Sequence, residues 1–203
     1  APMTEKEKML LGMYYKASDK DLTEERNTAR SLAAEYNSTA PSELERREDI
    51  LKKLFKKCGR NIYIEPPFYC DYGSNITLGD NVYINFDCII LDVCNVSIGN
   101  NVFIAPRVSI FAAAHPIDAD IRNSLLEFGS PVNIGNSVWI GGNTVINPGV
   151  SIGDGSIIGS GSVVTKDIPP NVIACGNPCR VIRQISDEDK AVCRRLADEY
   201  YKK

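Results

Sequence analysis

IGNSVWIGGNTVINPGVSIGDGSIIGSGSVVTKDI, residues 134–168, carries an aliphatic side chain at every sixth place: Ile134, Ile140, Ile146, Ile152, Ile158 and Val164. Four places after each stands a smaller or β-branched residue: Val138, Thr144, Val150, Ser156, Ser162 and Ile168. The place directly after the aliphatic residue is Gly at Gly135, Gly141, Gly153 and Gly159, and Asn at Asn147. A helix repeats at about 3.6 residues and a strand at about two. A period of six instead suits very short strands joined by tight corners, with turn-prone Gly or Asn at the bends. Three hexads close one triangular coil, and the coils stack into a parallel β-helix, each burying its aliphatic residues against its neighbours.

Upstream the same rhythm runs through Leu78, Ile84 and Ile90, then Ile98, Ile104 and Ile110, with Val82, Cys88, Cys94, Val102, Val108 and Ala114 at the fourth places after them. The hexad from Tyr72 is in phase with the first set. Val96 and Ser97 shift the phase once, which predicts a small bulge at a corner. From 116 to 133 the rhythm disappears and returns in register at Ile134, so this stretch is expected to leave the coil as a protruding loop, carrying the apolar Ile117, Ile121, Leu125, Leu126 and Phe128.

The expected organisation is an N-terminal helical segment over 1–58, a parallel β-helix over 59–185 with its loop, and a C-terminal helix over 186–203. Thr4 with Glu7, Ser18 with Asp21, and Ser42 with Glu45 have the spacing of helix starts. Apolar residues recur at helical spacing at Met9, Leu10, Met13 and Tyr14, at Ile50, Leu51, Leu54 and Phe55, and at Val192, Leu196 and Tyr200.

With 203 residues, 43% of them apolar, and a formal charge of −3, the chain reads as one globular domain with no field for nucleic acid or anionic membrane. No long apolar run marks a spanning helix, and the N-terminal stretch does not read as a signal peptide. Seven cysteines, odd in number and without a CxxC pair, fit a reduced cytoplasmic setting better than a disulfide framework.

The single histidine, His115, closes the hexad IFAAAH where the rhythm stops. Next to an inward Ala114, its side chain is expected to face outward at the base of the loop. Two readings stand side by side: a surface histidine before a loop proline, or a general base sheltered by the loop above it. One histidine excludes a histidine-built metal site. No GxSxG elbow supplies a serine nucleophile, Cys175 and Cys179 have no histidine nearby in sequence, and Cys88 and Cys94 read as packing residues.

The hexads, the pattern NxxFIAPxVSI followed by AxxHP, the run ending VVTKDIP and the segment GNPCRVIR resemble the maltose and galactoside O-acetyltransferases, a family of hexapeptide-repeat acyltransferases. The resemblance covers nearly the whole chain, including EKMLLGMYYKASDKDL and NSTAPSELERREDILKKLF. It implies a left-handed parallel β-helix, a homotrimer with active sites between subunits, and transfer of the acetyl group of acetyl-CoA to a sugar hydroxyl without a metal. On it, His115 matches the general base. A backbone amide near Gly141 or Gly142 would hold the oxyanion. Asp71, Tyr83, Asn85 and Asp92 match the acceptor side, with Glu127 able to reach the site or the histidine. Lys166, Arg180 and Arg183 match the positions that meet the CoA phosphates, and Trp139, Gly141, Gly142, Ser160 and Thr165 the wall along the pantetheine. Taken without the family, the polar residues are solvated corners or surface charge, and Trp139 is equally an interface anchor. Where relatives carry an acidic residue after the tyrosines, this chain has Lys16, with Asp19 out of step.

Two other classes remain open on sequence: a xenobiotic acetyltransferase of the same superfamily with a different acceptor pocket, and a non-catalytic trimeric scaffold. Carbonic anhydrases of this fold need several histidines.

Overall fold

The computed structural model describes residues 1–202. Strands Lys57–Cys58, Ile76–Leu78, Val96–Ile98, Val132–Ile134 and Ser151–Ile152 stack in parallel as the first face of a triangular solenoid of about six turns. The second face is Tyr63–Ile64, Val82–Ile84, Val102–Ile104, Trp139–Ile140, Ile157–Ile158 and Val172–Cys175, closed by the antiparallel Arg180–Gln184. Phe68–Cys70, Cys88–Leu91, Ser109–Phe111, Val145–Ile146 and Val163–Val164 form the third. The parallel β-helix read from the six-residue period is therefore the fold.

All twelve aliphatic hexad residues are buried, and so are the residues four places after them, except Ala114. Buried Thr144 and Ser162 satisfy their hydroxyls on the corner carbonyls Gly141 O, at 2.7 Å, and Gly159 O. The C-terminal coils can thus place small polar residues in the core without an unpaired group.

The glycines directly after the aliphatic residues are there for a reason other than bending. Positive φ falls two places later, at Asn81, Asn101 and Ser137. At the intervening position a ladder of side chains runs along the edge. Arg60 N donates to Asp80 Oδ1, Asp80 N to Asn100 Oδ1, Asn100 N to Asn136 Oδ1 and Asn136 N to Asp154 Oδ1, all at 2.7–2.8 Å. A Cβ on Gly99 would lie 2.4 Å from Asn136 Oδ1, and one on Gly135 2.3 Å from Asp154 Oδ1. Glycine is required because the next coil's ladder residue occupies the Cβ space.

The phase shift sits elsewhere than expected. Val96 and Ser97 are regular strand, paired with Ile76 and Thr77. The extra residues lie in the preceding corner, where Asp92, Val93 and Cys94 are buried. The excursion is also displaced. The chain leaves the coil at Ala113, runs through Ala113–Ala114, a short helix Ala119–Asn123 and the strand Leu126–Gly129, and is back in the first face by Val132, rather than leaving at 116 and returning after 133. Ala114 is consequently not a core residue.

Helices α1 (Glu5–Leu10), α2 (Lys20–Asn37) and α3 (Leu44–Leu54) cover the N-terminal end. Thr4 and Glu7 form the expected capping box. Asp19, not Ser18, caps α2 by accepting from Asp21 N and Leu22 N, and α3 begins after Glu43 with no side-chain cap, so Ser42 plays no such part. Asn37 brackets the strand Phe68–Cys70 by donating to Phe68 O and accepting from Phe68 N, and Tyr36 Oη donates to Ile64 O. The last helix, Asp187–Tyr201, starts at a Ser186–Asp189 capping box and buries no side chain, leaving Val192, Leu196 and Tyr200 exposed.

Candidate active site

The excursion rises from the corner between the third and first faces. Its returning strand Leu126–Gly129 is sandwiched between Ala113–Ala114 and the N-terminal strand Tyr15–Lys16. Tyr15, buried to 1% exposure, donates from Oη to Glu127 Oε2 at 3.2 Å. His115 follows this sheet immediately and is exposed, as expected.

Asp71 belongs to the same corner, two coils below. Burial raises its carboxyl above the usual range; Arg30 and Arg26 pull it back and Glu127 raises it further. Burial, Glu127, Tyr72 and Asp71 together push the Tyr15 phenol far up, so it stays a neutral donor. Arg26 Nη1 donates to Tyr72 Oη at 2.9 Å and to Ala17 O at 2.7 Å, pinning the N-terminal segment here. Glu127 and Asp71 are thus gathered around one corner with Tyr15, Arg26 and Arg30, and His115 lies at the base of the excursion that carries Glu127. Sequence reasoning missed Tyr15, Arg26 and Arg30 because their role depends on a strand pair more than a hundred residues apart in the chain. The tyrosine pair in MYYKASD was the one available signal. Lys16 is exposed in the short strand, and Asp19 is consumed as a helix cap.

Asp92 does not belong on the acceptor side. It is 0% exposed, and its carboxylate accepts from Tyr72 N at 2.9 Å and Asn75 N at 3.2 Å. Its oxygens are spent on corner amides that no other group reaches, so it supports the loop that presents Asp71. Burial pushes its carboxyl up to about 7 against the pull of those backbone hydrogen bonds.

Tyr83 and Asn85 lie on the second face, across the prism from the corner bearing His115. They line an open groove of about 400 Å³ with Phe103, Ile104, Ala105 and Trp139. The outward residues Tyr63, Tyr83, Phe103 and Trp139 pair in register up this face, and Phe103 and Trp139 are 61% and 53% exposed. Asn85 Oδ1 accepts from Phe86 N, leaving its amide NH₂ outward.

Gly141 and Gly142 turn the corner above this groove. Gly141 N donates to Ile158 O at 2.7 Å, and a Cβ there would lie 2.5 Å from Ser160 N, so Gly141 is committed to coil packing. Gly142 has room for a Cβ, and among the described residues its amide meets no protein acceptor. Ser160, Thr165, Lys166 and Arg180 are exposed on later corners and on the closing strand. Arg183 makes a bidentate pair with Asp189, at 2.6 and 3.1 Å, which holds that carboxyl far below its ordinary range.

The expected site residues of one chain therefore fall into two separate groups, a polar corner and an apolar face with a glycine corner. Residues 8–59 match the family model of the maltose acetyltransferase hexapeptide capping motif, and residues 131–166 that of the bacterial transferase hexapeptide (six repeats). Galactoside O-acetyltransferase of Escherichia coli is 49% identical over 189 residues, 93% of this chain and 92% of that protein. This chain belongs to the maltose and galactoside O-acetyltransferase family. A maltose O-acetyltransferase structure from Clostridium difficile superposes on this acetyltransferase chain with a TM-score of 0.90 and 55% identity, covering 92% of it and all of that chain. A galactoside acetyltransferase solved in complex with coenzyme A gives 0.90 at 48%, covering 93% and 94%. No helix among the described residues of this family member is long and apolar enough to cross a membrane.

Proposed function

We propose that this acetyltransferase moves the acetyl group of acetyl-CoA to a hydroxyl of a sugar of the maltose, glucose or galactoside type, by direct attack on the thioester. The observation that carries the reading is His115, the only imidazole of the chain, standing beside the Asp71–Glu127 corner. Family membership and the coenzyme A complex of a 48% identical relative support the donor.

His115 acts as general base. It takes the proton of the acceptor hydroxyl as that oxygen bonds to the thioester carbon, and returns it to the thiolate when the C–S bond breaks. The products are the O-acetyl sugar and free CoA thiol, so protons and bonds balance. The carbonyl oxygen gains charge in the attack, and the Gly142 amide is the donor of the glycine corner left to meet it. Asp71 on one side, with Tyr83 and the outward NH₂ of Asn85 on the other, offer acceptors and donors to sugar hydroxyls. Trp139 and the Gly141–Gly142 and Ser160 corners give a wall that a thin pantetheine follows, with Thr165 beside it. Lys166 and Arg180 are open to its phosphates; Arg183 would meet them by sharing its guanidinium with Asp189.

The two half-sites lie on opposite sides of one prism, so a complete site needs a second copy whose apolar face meets the first copy's corner. A homotrimer closes this relation with three equivalent sites, and it covers Phe103, Trp139 and the unpartnered stripe of the last helix. Seven free cysteines support a reducing, cytoplasmic setting.

The test is thiol release from acetyl-CoA across maltose, glucosides, galactosides and chloramphenicol, with the parent and His115→Ala. Turnover with a sugar that falls by roughly 10²–10⁴ in the variant is expected for loss of a general base. Equal rates in the two proteins would remove His115 from the mechanism, and preference for chloramphenicol would replace the sugar by a xenobiotic.

A further inference from the structure

We propose that the cavity between α3 and the first coil is a binding site for a small organic monocarboxylate with an aromatic or branched apolar body, its carboxylate held by Arg47. The space measures about 660 Å³, and Tyr36, Arg47, Leu51, Ile62 and Tyr63 are among the residues around it. None of its lining residues belongs to the groove of Tyr83, Asn85 and Trp139. Tyr63 stacks on Tyr83, ring centroids 5.7 Å apart, which puts the cavity one coil below that groove.

The deciding feature is a buried charge without a counter-charge. Arg47 belongs to the inward face of α3 with Ile50, Leu51 and Leu54, and is 5% exposed. Charged side chains are almost never fully buried unless they are paired, because leaving water is costly. Arg47 forms no ion pair among the described residues. Glu43, one turn earlier, is spent on Ala40 N at 2.7 Å and Arg46 at 3.3 Å, and Glu48, which lines the cavity, on Lys52 at 3.0 Å. The guanidinium is anchored on one side only: Nε donates to Thr39 Oγ1 at 2.8 Å, and Nη2 makes a long 3.5 Å contact with Thr39 O. Among the described residues Nη1 meets no acceptor and yet is not sealed in, so it is open to the cavity that Arg47 lines.

The surroundings select the ligand. A guanidinium presents its N–H groups as a planar fork that matches a carboxylate, and with Nε tied to Thr39 the Nη1–Nη2 edge remains for one. One buried positive charge balances one negative charge, which favours a monoanion over phosphate. Lys52 is already paired, and the Arg60 side chain is 88% exposed and 3.8 Å from Asp80, so neither brings a second free charge to the interior. The walls are otherwise chiefly apolar, with Tyr36 and Leu51 on the helix side and Ile62 and Tyr63 on the coil side. Apolar walls with one placed charge are the usual make-up of a small-molecule site of this volume.

The experiment titrates the full chain with 3-phenylpropanoate, the neutral 3-phenylpropanamide and inorganic phosphate by isothermal titration calorimetry. Cys58, half-buried in the cavity wall, reports the place: its alkylation by iodoacetamide is followed by peptide mass spectrometry, with the exposed Cys193 as control. The expected result is one carboxylate per chain with a Kd in the low millimolar range or tighter, and an amide weaker by roughly 10–100-fold. The carboxylate should slow alkylation of Cys58 and leave Cys193 unchanged. Arg47→Gln should weaken carboxylate binding by the same factor. Because that variant also loosens Thr39 and endangers folding, Ile62→Trp supplies a second test, filling the cavity from the coil with Arg47 intact. Circular dichroism checks its fold, and binding and protection should both vanish. No carboxylate binding, equal binding of the amide, tighter binding of phosphate, or carboxylate binding that persists in Ile62→Trp or leaves Cys58 unprotected would each overturn the proposal.

Discussion

Replacing Asp92 by alanine separates a group that supports the corner from one that touches the acceptor. The carboxylate of this 0% exposed residue accepts from two buried amides, Tyr72 N and Asn75 N, and its main-chain oxygen accepts from Asn75 Nδ2 at 2.7 Å. Alanine leaves both amides without an acceptor, at about 1–3 kcal/mol each, for a total of about 2–6 kcal/mol. Burial places the folded carboxyl at about 7, above its ordinary value of 3.8. The raised group contributes stability that is fully present below the unfolded value and lost as pH rises through the folded one. The destabilisation by alanine should therefore be larger at pH 5 than at pH 8, by roughly 2.5 kcal/mol, because pH 5 already lies above the unfolded value. Urea unfolding at pH 5 and pH 8 measures this, at one fixed protein concentration because association stabilises by mass action. An unfolding midpoint equal to the parent's, together with a fall in kcat/KM, would refute the reasoning and return Asp92 to the acceptor side.

Gly99→Ala puts a Cβ 2.4 Å from Asn136 Oδ1 and 2.9 Å from the Gly135 carbonyl, so it should cost about 1–3 kcal/mol in urea unfolding through overpacking; an unchanged midpoint would mean the ladder yields freely. Trp139→Ala, at an outward position on the apolar face, should raise the KM for acetyl-CoA roughly tenfold with kcat nearly unchanged, the mark of lost uniform binding. Steady-state kinetics at saturating sugar decides it, and an unaltered KM accompanied by dissociation of the oligomer in gel filtration would make Trp139 an interface anchor only.

The hexad rhythm, the burial of every aliphatic hexad residue and the outward place of His115 follow from local sequence, because a coil packs only on its neighbours and repeats its own rule. The polar corner does not. Tyr15 meets Glu127 only because a strand near the N-terminus docks against a strand returning more than a hundred residues later, and no local period encodes a long-range register. Asp92 shows the same limit from the other side. Aspartate in a corner reads as solvated on the page, and only the bulged turn, which brings two backbone amides to its oxygens with no water access, converts it into a support. The repeat thus determined the solenoid and that it is interrupted, but not the bounds of the excursion, which leaves the coil at Ala113 and is back in the first face by Val132. The tertiary packing decided which corner residues face the solvent, which are consumed by the coil, and that the polar corner and the apolar face lie on opposite sides of the prism, since those properties depend on what each turn finds above and beside it.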